Sequence, residues 1–269
     1  MTELEFMQFP AIDLHGHCGV VPDMPEPVRR FVATPVDEIV ARATACAITT
    51  TVVSNLDGLS IADIPTDTDT ANDIARNAAE QFDALRFYVL VNPTDDGWAE
   101  RTECLFEHPK CAGAKLHSRW NHWDVGEYGD RVFAFLSERQ ALVLVHTGNI
   151  GSEPERFVDL ANTHSGVRLI VAHTGHDETD NTRDRQVRAL HMSTRGNVWA
   201  DTSSAKSITP NVIEHAVSEL GPERIVFGTD TPLYFSAMQK ARIAYAGISD
   251  DAKRKILYEN AAALLGIDP

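Results

Sequence analysis

Basic residues are scarce in this chain: 24 lysines and arginines stand against 39 aspartates and glutamates, a formal net charge of −15 at pH 7. Nucleic acids and anionic membrane surfaces are bound through positive patches, so neither is expected as a partner. No run of about 18 apolar residues is present, and a membrane-spanning helix needs one. Residues 1–10 carry Glu3 and Glu5 and lack both a basic flank and an apolar stretch. No secretory signal is therefore expected, and a cytoplasmic location is. Cysteine is sparse as well: Cys18, Cys46, Cys104 and Cys111 form no Cys-x-x-Cys pair, which argues against a thiolate zinc site or a redox motif and for reduced, mostly buried thiols. No Gly-x-Gly-x-x-Gly follows the first apolar run, which argues against a dinucleotide-binding fold. Internal repeats and low-complexity tracts are also lacking.

What recurs is a short apolar run followed by an amphipathic stretch. Eight runs read as strands, at 10–15, 49–54, 86–91, 112–117, 141–146, 167–173, 197–201 and 224–230. Helical patterns lie between and after them, at 36–47, 70–85, 98–108, 128–139, 153–164, 183–193, 210–220, 236–245 and 250–265. Thr209-Pro210 and Ser249-Asp250 read as helix starts. The segment 20–35, with Pro22, Pro25, Pro27 and Pro35, reads as an irregular loop. Strand alternating with helix eight times implies a parallel sheet. Its 269 residues are close to the ~250 of one closed barrel. The expected fold class is α/β, a single-domain (β/α)8 TIM-type barrel spanning 1–269.

The polar residues at the ends of these runs carry the functional signal. His15 and His17 close the first run, Lys115 and His117 the fourth, His146 the fifth, His173 the sixth and Asp230 the eighth. In a barrel of this kind the C-terminal strand ends converge on the active site. Residues i and i+2 of a strand share a side, so His15 and His17 can grip one metal from a single strand. Neutral imidazole suits zinc and related divalent ions. Asp230 closes the apolar run Val226-Phe227-Gly228-Thr229, and a carboxylate carried into a dry interior needs a cation. His15-Gly16-His17 alone is a weak motif. With His146, His173 and Asp230 on separate strands it becomes a metal constellation. Cys18, beside His17, is the one thiol expected near the metal. Arg119-Trp120-Asn121-His122-Trp123 follows the fourth run; it reads as a loop over the pocket that holds an acidic or aromatic substrate, or as a surface against another subunit in a homo-oligomer.

The segments Ile12-Asp13-Leu14-His15-Gly16-His17, Gly113-Ala114-Lys115-Leu116-His117, Val145-His146, Val171-Ala172-His173, Gly228-Thr229-Asp230-Thr231-Pro232 and Asn260-Ala261-Ala262 together resemble the amidohydrolase superfamily, specifically amidohydrolase family 2, over nearly the whole chain. The resemblance implies one divalent metal, most often zinc, held by His15, His17, His146 and Asp230. It implies His173 as a second-metal ligand or an acid/base. Lys115, where binuclear members carry a carboxylated lysine bridging two ions, leaves a second ion open, with one ion favoured. Two departures border the pocket: His173-Thr174-Gly175-His176 replaces a glycine-richer turn, and Ser118 stands where proline often follows Lys-Leu-His.

The resulting expectation is a metal-dependent hydrolase of a small lactone, amide or ester. Metal-activated water attacks the carbonyl, Asp230 is the general base, His173 helps stabilise the oxyanion, and Lys115, His117 and Arg119 orient the substrate. The alternative is nonhydrolytic, metal-dependent decarboxylation of an unsaturated or aromatic acid, an activity the resembled family also includes. A metal-binding scaffold without catalysis ranks third, and would gain ground if the pocket above the metal were filled by the protein's own side chains.

Overall fold

Short apolar runs bury two faces at once, and in the computed structural model, which describes residues 1–178, 182–203 and 208–267, all eight form strands. These are β1 (Ala11–Cys18), β2 (Ile48–Asn55), β3 (Leu85–Leu90), β4 (Cys111–Leu116), β5 (Leu142–Val145), β6 (Arg168–Val171), β7 (Val198–Asp201) and β8 (Ile225–Val226). Each pairs in parallel with its sequence neighbour, in the order β1 to β8. Side chains alternate across the sheet. Phe87 and Val89 of β3 pack outward against helices, while Tyr88 fills the interior with Leu142, Leu144 and Ile170. Fully buried Phe87, Phe133 and Phe157 anchor the outer layer, each such side chain contributing about 1.5–3 kcal/mol by burial.

The outer layer comprises α3 (Val36–Ala45), α4 (Thr68–Gln81), α5 (Trp98–Phe106), α6 (Val125–Glu138), α7 (Pro154–Thr163), α8 (Arg185–Leu190), α9 (Val212–Leu220) and α10 (Ser236–Ala244). The terminal stretch α11 (Asp250–Arg254) runs through a π-helical turn at Lys255–Glu259 into α12 (Asn260–Leu265). Ala261, Ala262 and Leu264 of this last helix pack on the interior residues Ile12 and Val226, closing the N-terminal end of the barrel.

The barrel closes where β1 meets the segment after β8. Leu14 N donates to Phe227 O at 3.0 Å, Asp230 N to His15 O at 2.7 Å and His17 N to Thr231 O at 2.7 Å. Within β1 the pairing to β2 shifts register between Asp13 and Gly16. This one-residue bulge changes which side the strand presents. Ile12 and Leu14 fill the barrel interior, and after the bulge it is His15 and His17 that turn inward.

Several boundaries differ from the sequence expectation. The proline-bearing segment 20–35 is not wholly irregular: α2 (Glu26–Val32) forms there, with Pro27 in its first turn, where a missing N–H costs nothing. A further short helix, α1 (Glu3–Gln8), carries a reciprocal cap between Thr2 and Glu5. Ser249 caps α11 as expected, its Oγ accepting from Ala252 N at 3.1 Å. Helix α9 starts beyond Thr209-Pro210, after Asn211 at φ 66°. The eighth strand is only Ile225–Val226, so Asp230 lies four residues past it, at φ 58°; His173 lies two residues past β6, at φ 70°. The left-handed backbone at both positions turns these side chains back over the barrel mouth.

Candidate active site

Three side chains from the two sides of the barrel closure meet on the pocket floor. His15 Nε2 and His17 Nε2 lie 3.2 Å apart, and Asp230 Oδ1 is 3.5 Å from the first and 3.0 Å from the second. All three are buried, and their ligand atoms are close enough to share one ion. Burial pulls His17 down to about 4, so it is neutral at pH 7. Burial works against the charge of Asp230 too, but His15, the hydrogen bond with His17 and His173 hold its carboxyl well below the usual range.

Behind this floor stand groups that the sequence reading did not single out. Asp201, the last residue of β7, is fully buried, with Oδ2 2.6 Å from His15 Nδ1. Its Oδ1 accepts from the backbone N–H of His173 at 2.7 Å, from that of Ser203 at 3.0 Å and from the Ser203 hydroxyl at 2.7 Å. Burial raises the cost of its charge, yet His15 and these hydrogen bonds keep its carboxyl below the ordinary value. Ser203 Oγ lies 3.0 Å from His15 Nδ1 and 2.8 Å from His173 Nδ1. His15, His173 and Asp201 form the second group of potential ligands among the described residues. Asp13 is also buried and pushed up to about 7 by that burial; it accepts from His15 N, Thr229 N and Thr229 Oγ1, and so ties β1 to the turn that carries Asp230. Ser54 at the end of β2 lies 2.9 Å from His17 Nδ1.

Above the floor is a pocket of about 260 Å³, open at its top. Lys115 reaches in from β4, Nζ 2.9 Å from His15 Nε2, and burial pulls its ammonium down to about 8. His146, one residue past β5, stands one step further out than the floor group. Its Nδ1 is 3.0 Å from His173 Nε2 and its Nε2 2.5 Å from Asn149 Oδ1. Burial brings it to about 3 and holds His117 and His173 well below the imidazole norm. His117, whose Nδ1 accepts from Trp120 N at 3.2 Å, is sandwiched between two flat rings, His146 at 4.0 Å and Trp120 at 4.7 Å. Arg119 stands at the rim, 3.5 Å from Glu178, which also takes a hydrogen bond from Asn149. His176, Leu56, Ile61, Leu233 and Tyr234 complete the lining. Of the loop after β4, Arg119 and Trp120 line the pocket; His122 instead braces a neighbouring loop, donating to Ser60 O at 2.9 Å.

Cys18 does not approach the floor. It packs outward with Ile39 and Val53, and burial pushes its thiol up to about 12. His108, His164 and His191 pair with Glu80, Asp130 and Glu219 away from the pocket. The space above the floor is open rather than filled by the protein's own side chains, so the observation that would favour a catalytically silent scaffold is not met.

Comparison with protein families matches residues 12–267 to the family described as amidohydrolase. No curated protein matches the chain. Among solved structures, a 2,6-dihydroxybenzoate decarboxylase from Rhizobium aligns with a TM-score of 0.75 and 15% identity, over 96% of this chain and 98% of that one. A dihydroxybenzoic acid decarboxylase from a Polaromonas species, with bound manganese and the inhibitor 2-nitroresorcinol, aligns at 0.73 and 16%, over 96% and 97%. A 5-carboxyvanillate decarboxylase from Sphingomonas paucimobilis aligns at 0.75 and 13%, over 96% and 99%.

Proposed function

The chain belongs to the amidohydrolase family, and on that premise we propose that it is an enzyme removing carbon dioxide from a small aromatic or unsaturated carboxylic acid without consuming water. One observation carries the reading: a two-histidine, one-carboxylate floor, His15, His17 and Asp230, lies beneath a wall of flat stacked rings, His146, His117 and Trp120. The donor set fits a divalent cation, since two close imidazole nitrogens and a carboxylate offer lone pairs to one centre. His15, His17 and Asp230 would hold one ion, with His146 brought in as a fourth ligand. Zinc suits these donors, and manganese, bound in the Polaromonas structure, is its competitor. When bound, the ion supplies Lewis-acid attraction for the substrate's oxygens.

The chain's own residues do the rest. Lys115 at the floor and Arg119 at the rim are cations placed to orient a carboxylate. The ring stack sets the plane of an aromatic substrate beside it. In the reaction the bond from ring carbon to carboxylate breaks, its electron pair stays on the ring carbon, and that carbon takes a proton. That proton is taken up from solvent, and His173 and Asp230, 4.0 Å apart at the floor, are the groups assigned to relay it.

Hydrolysis of a lactone, amide or ester is the second reading, favoured by one feature: Asp230 is held ionised and suits a general base as well as a proton carrier. Chelator-stripped protein, reloaded separately with Mn²⁺ or Zn²⁺ and offered hydroxybenzoic acids and a panel of lactones and esters in ¹⁸O-water, separates the two. Carbon dioxide released in step with acid loss, and no ¹⁸O in the organic product, is the expected result. Product carrying ¹⁸O with no carbon dioxide would move the assignment to hydrolysis.

A further inference from the structure

The geometry points to Asp201 as the residue that sets the hydrogen position on His15 and thereby makes it a metal ligand. The inference rests on the assignment of His15 to the metal and goes beyond it. His15 is fully buried and has partners of opposite kind on its two nitrogens. On the Nδ1 side the Asp201 carboxylate, at 2.6 Å, can only accept. On the Nε2 side the Lys115 ammonium, at 2.9 Å, can only donate. Asp201 and Lys115, the closest partner on each side, call for the same tautomer: hydrogen on Nδ1 and lone pair on Nε2, the nitrogen that also faces His17 at 3.2 Å and Asp230 at 3.5 Å.

Asp201 is itself held too firmly to turn away. Its other oxygen accepts from His173 N, Ser203 N and Ser203 Oγ, and Arg242 ties the adjacent Thr202 carbonyl at 2.6 Å. Gly228 backs the pair from the barrel closure: a Cβ there would sit 2.9 Å from the His15 Cβ and 3.2 Å from Asp201 Oδ2. Only glycine lets the backbone lie so close. A carboxylate that orients and polarises a metal-binding imidazole in this way typically changes metal affinity by about 10–100-fold when removed.

Asp201→Asn tests the role because it keeps size and the Oδ1 contacts while placing an N–H₂ donor against His15 Nδ1. That donor calls for a lone pair on Nδ1 and moves the hydrogen to Nε2. Two readouts are used, neither of them activity. Metal-free protein is titrated with Zn²⁺ against a chromophoric chelator, and ¹⁵N imidazole spectra report the tautomer. Wild-type His15 is expected as the Nδ1–H form, and Asp201→Asn is expected to convert it to Nε2–H and weaken Zn²⁺ binding about 10–100-fold at unchanged stoichiometry. An Nε2–H tautomer in the metal-free wild type overturns the inference without any variant, so a variant that failed to fold would not shield it. Affinity within twofold of wild type overturns it as well. Two ions in wild type and one in Asp201→Asn would make Asp201 a ligand and overturn its positioning role. A wild-type chain that takes up no Zn²⁺ at all would instead sink the metal assignment beneath it.

Discussion

Asp230 lies against His15 and His17, faces His173, and remains a carboxylate although buried. Replacing it by Asn keeps the volume and removes the charge that both readings of the chemistry need. Asp230→Asn is expected to lower turnover by about 10²–10³-fold, the range that removal of a charge-stabilising group produces. Its melting temperature in chelator should remain within a few degrees of wild type; a variant that keeps a tenth of the activity would contradict the assignment. At this scale much of the site was legible, because a polar residue closing an apolar strand has few bland explanations. His15, His17, Lys115, His117, His146, His173 and Asp230 all reach one pocket or its floor. Asp201, closing the run 197–201, carries the same signal. Ser203, Ser54 and Asn149 carried none: serine and asparagine at strand ends are common turn residues, and only tertiary contact gives them a role.

The elements were legible in kind and number of strands, less so in their ends. A strand's apolar run shows what is buried but not where the ladder stops, so β8 is two residues long where the run suggested seven. The bulge in β1 is invisible to pattern reading, yet without it the side that holds Ile12 and Leu14 would not continue as His15 and His17. Proline breaks a helix interior but is tolerated at its start, and Pro27 sits in the first turn of α2, where it does no harm. One element contact gives a sharp test. Gly113 in β4 has φ 146°, and a Cβ there would lie 2.0 Å from the Leu142 carbonyl oxygen at the start of β5. Alanine can satisfy neither the dihedral nor the distance unless the two strands part. Strain at such a residue costs on the order of 1–3 kcal/mol, and the clash adds to it. Gly113→Ala should therefore lower the melting temperature by about 5–10 °C at roughly 2–4 °C per kcal/mol. A change under 2 °C in thermal unfolding would show that the β4–β5 approach is not a constraint.

At the scale of the whole molecule, the candidate metal site and the closure of the barrel are the same place. Seven strand pairings run from β1 to β8, whereas the eighth junction rests on a few backbone bonds, from Leu14, His17 and Asp230, together with Asp13 reaching Thr229. His15 and His17 lie on one side of that junction and Asp230 on the other. An ion shared by them would tie β1 to the β8 turn across the weakest seam of the sheet. Binding to the folded chain alone stabilises it by RT ln(1 + [L]/Kd), about 2.7 kcal/mol at 100-fold and 4.1 at 1,000-fold excess over Kd. For a chain of this length, that is a rise of roughly 5–15 °C in melting temperature. Chelation should reverse the rise, and hydrogen exchange should locate it. Protection lost on metal removal is expected in 11–18 and 225–231, with 85–90, which carries none of the proposed ligands, unchanged. Uniform loss across all strands would mean that the ion stabilises the fold without clasping its seam, and no loss anywhere would mean that these residues hold no ion.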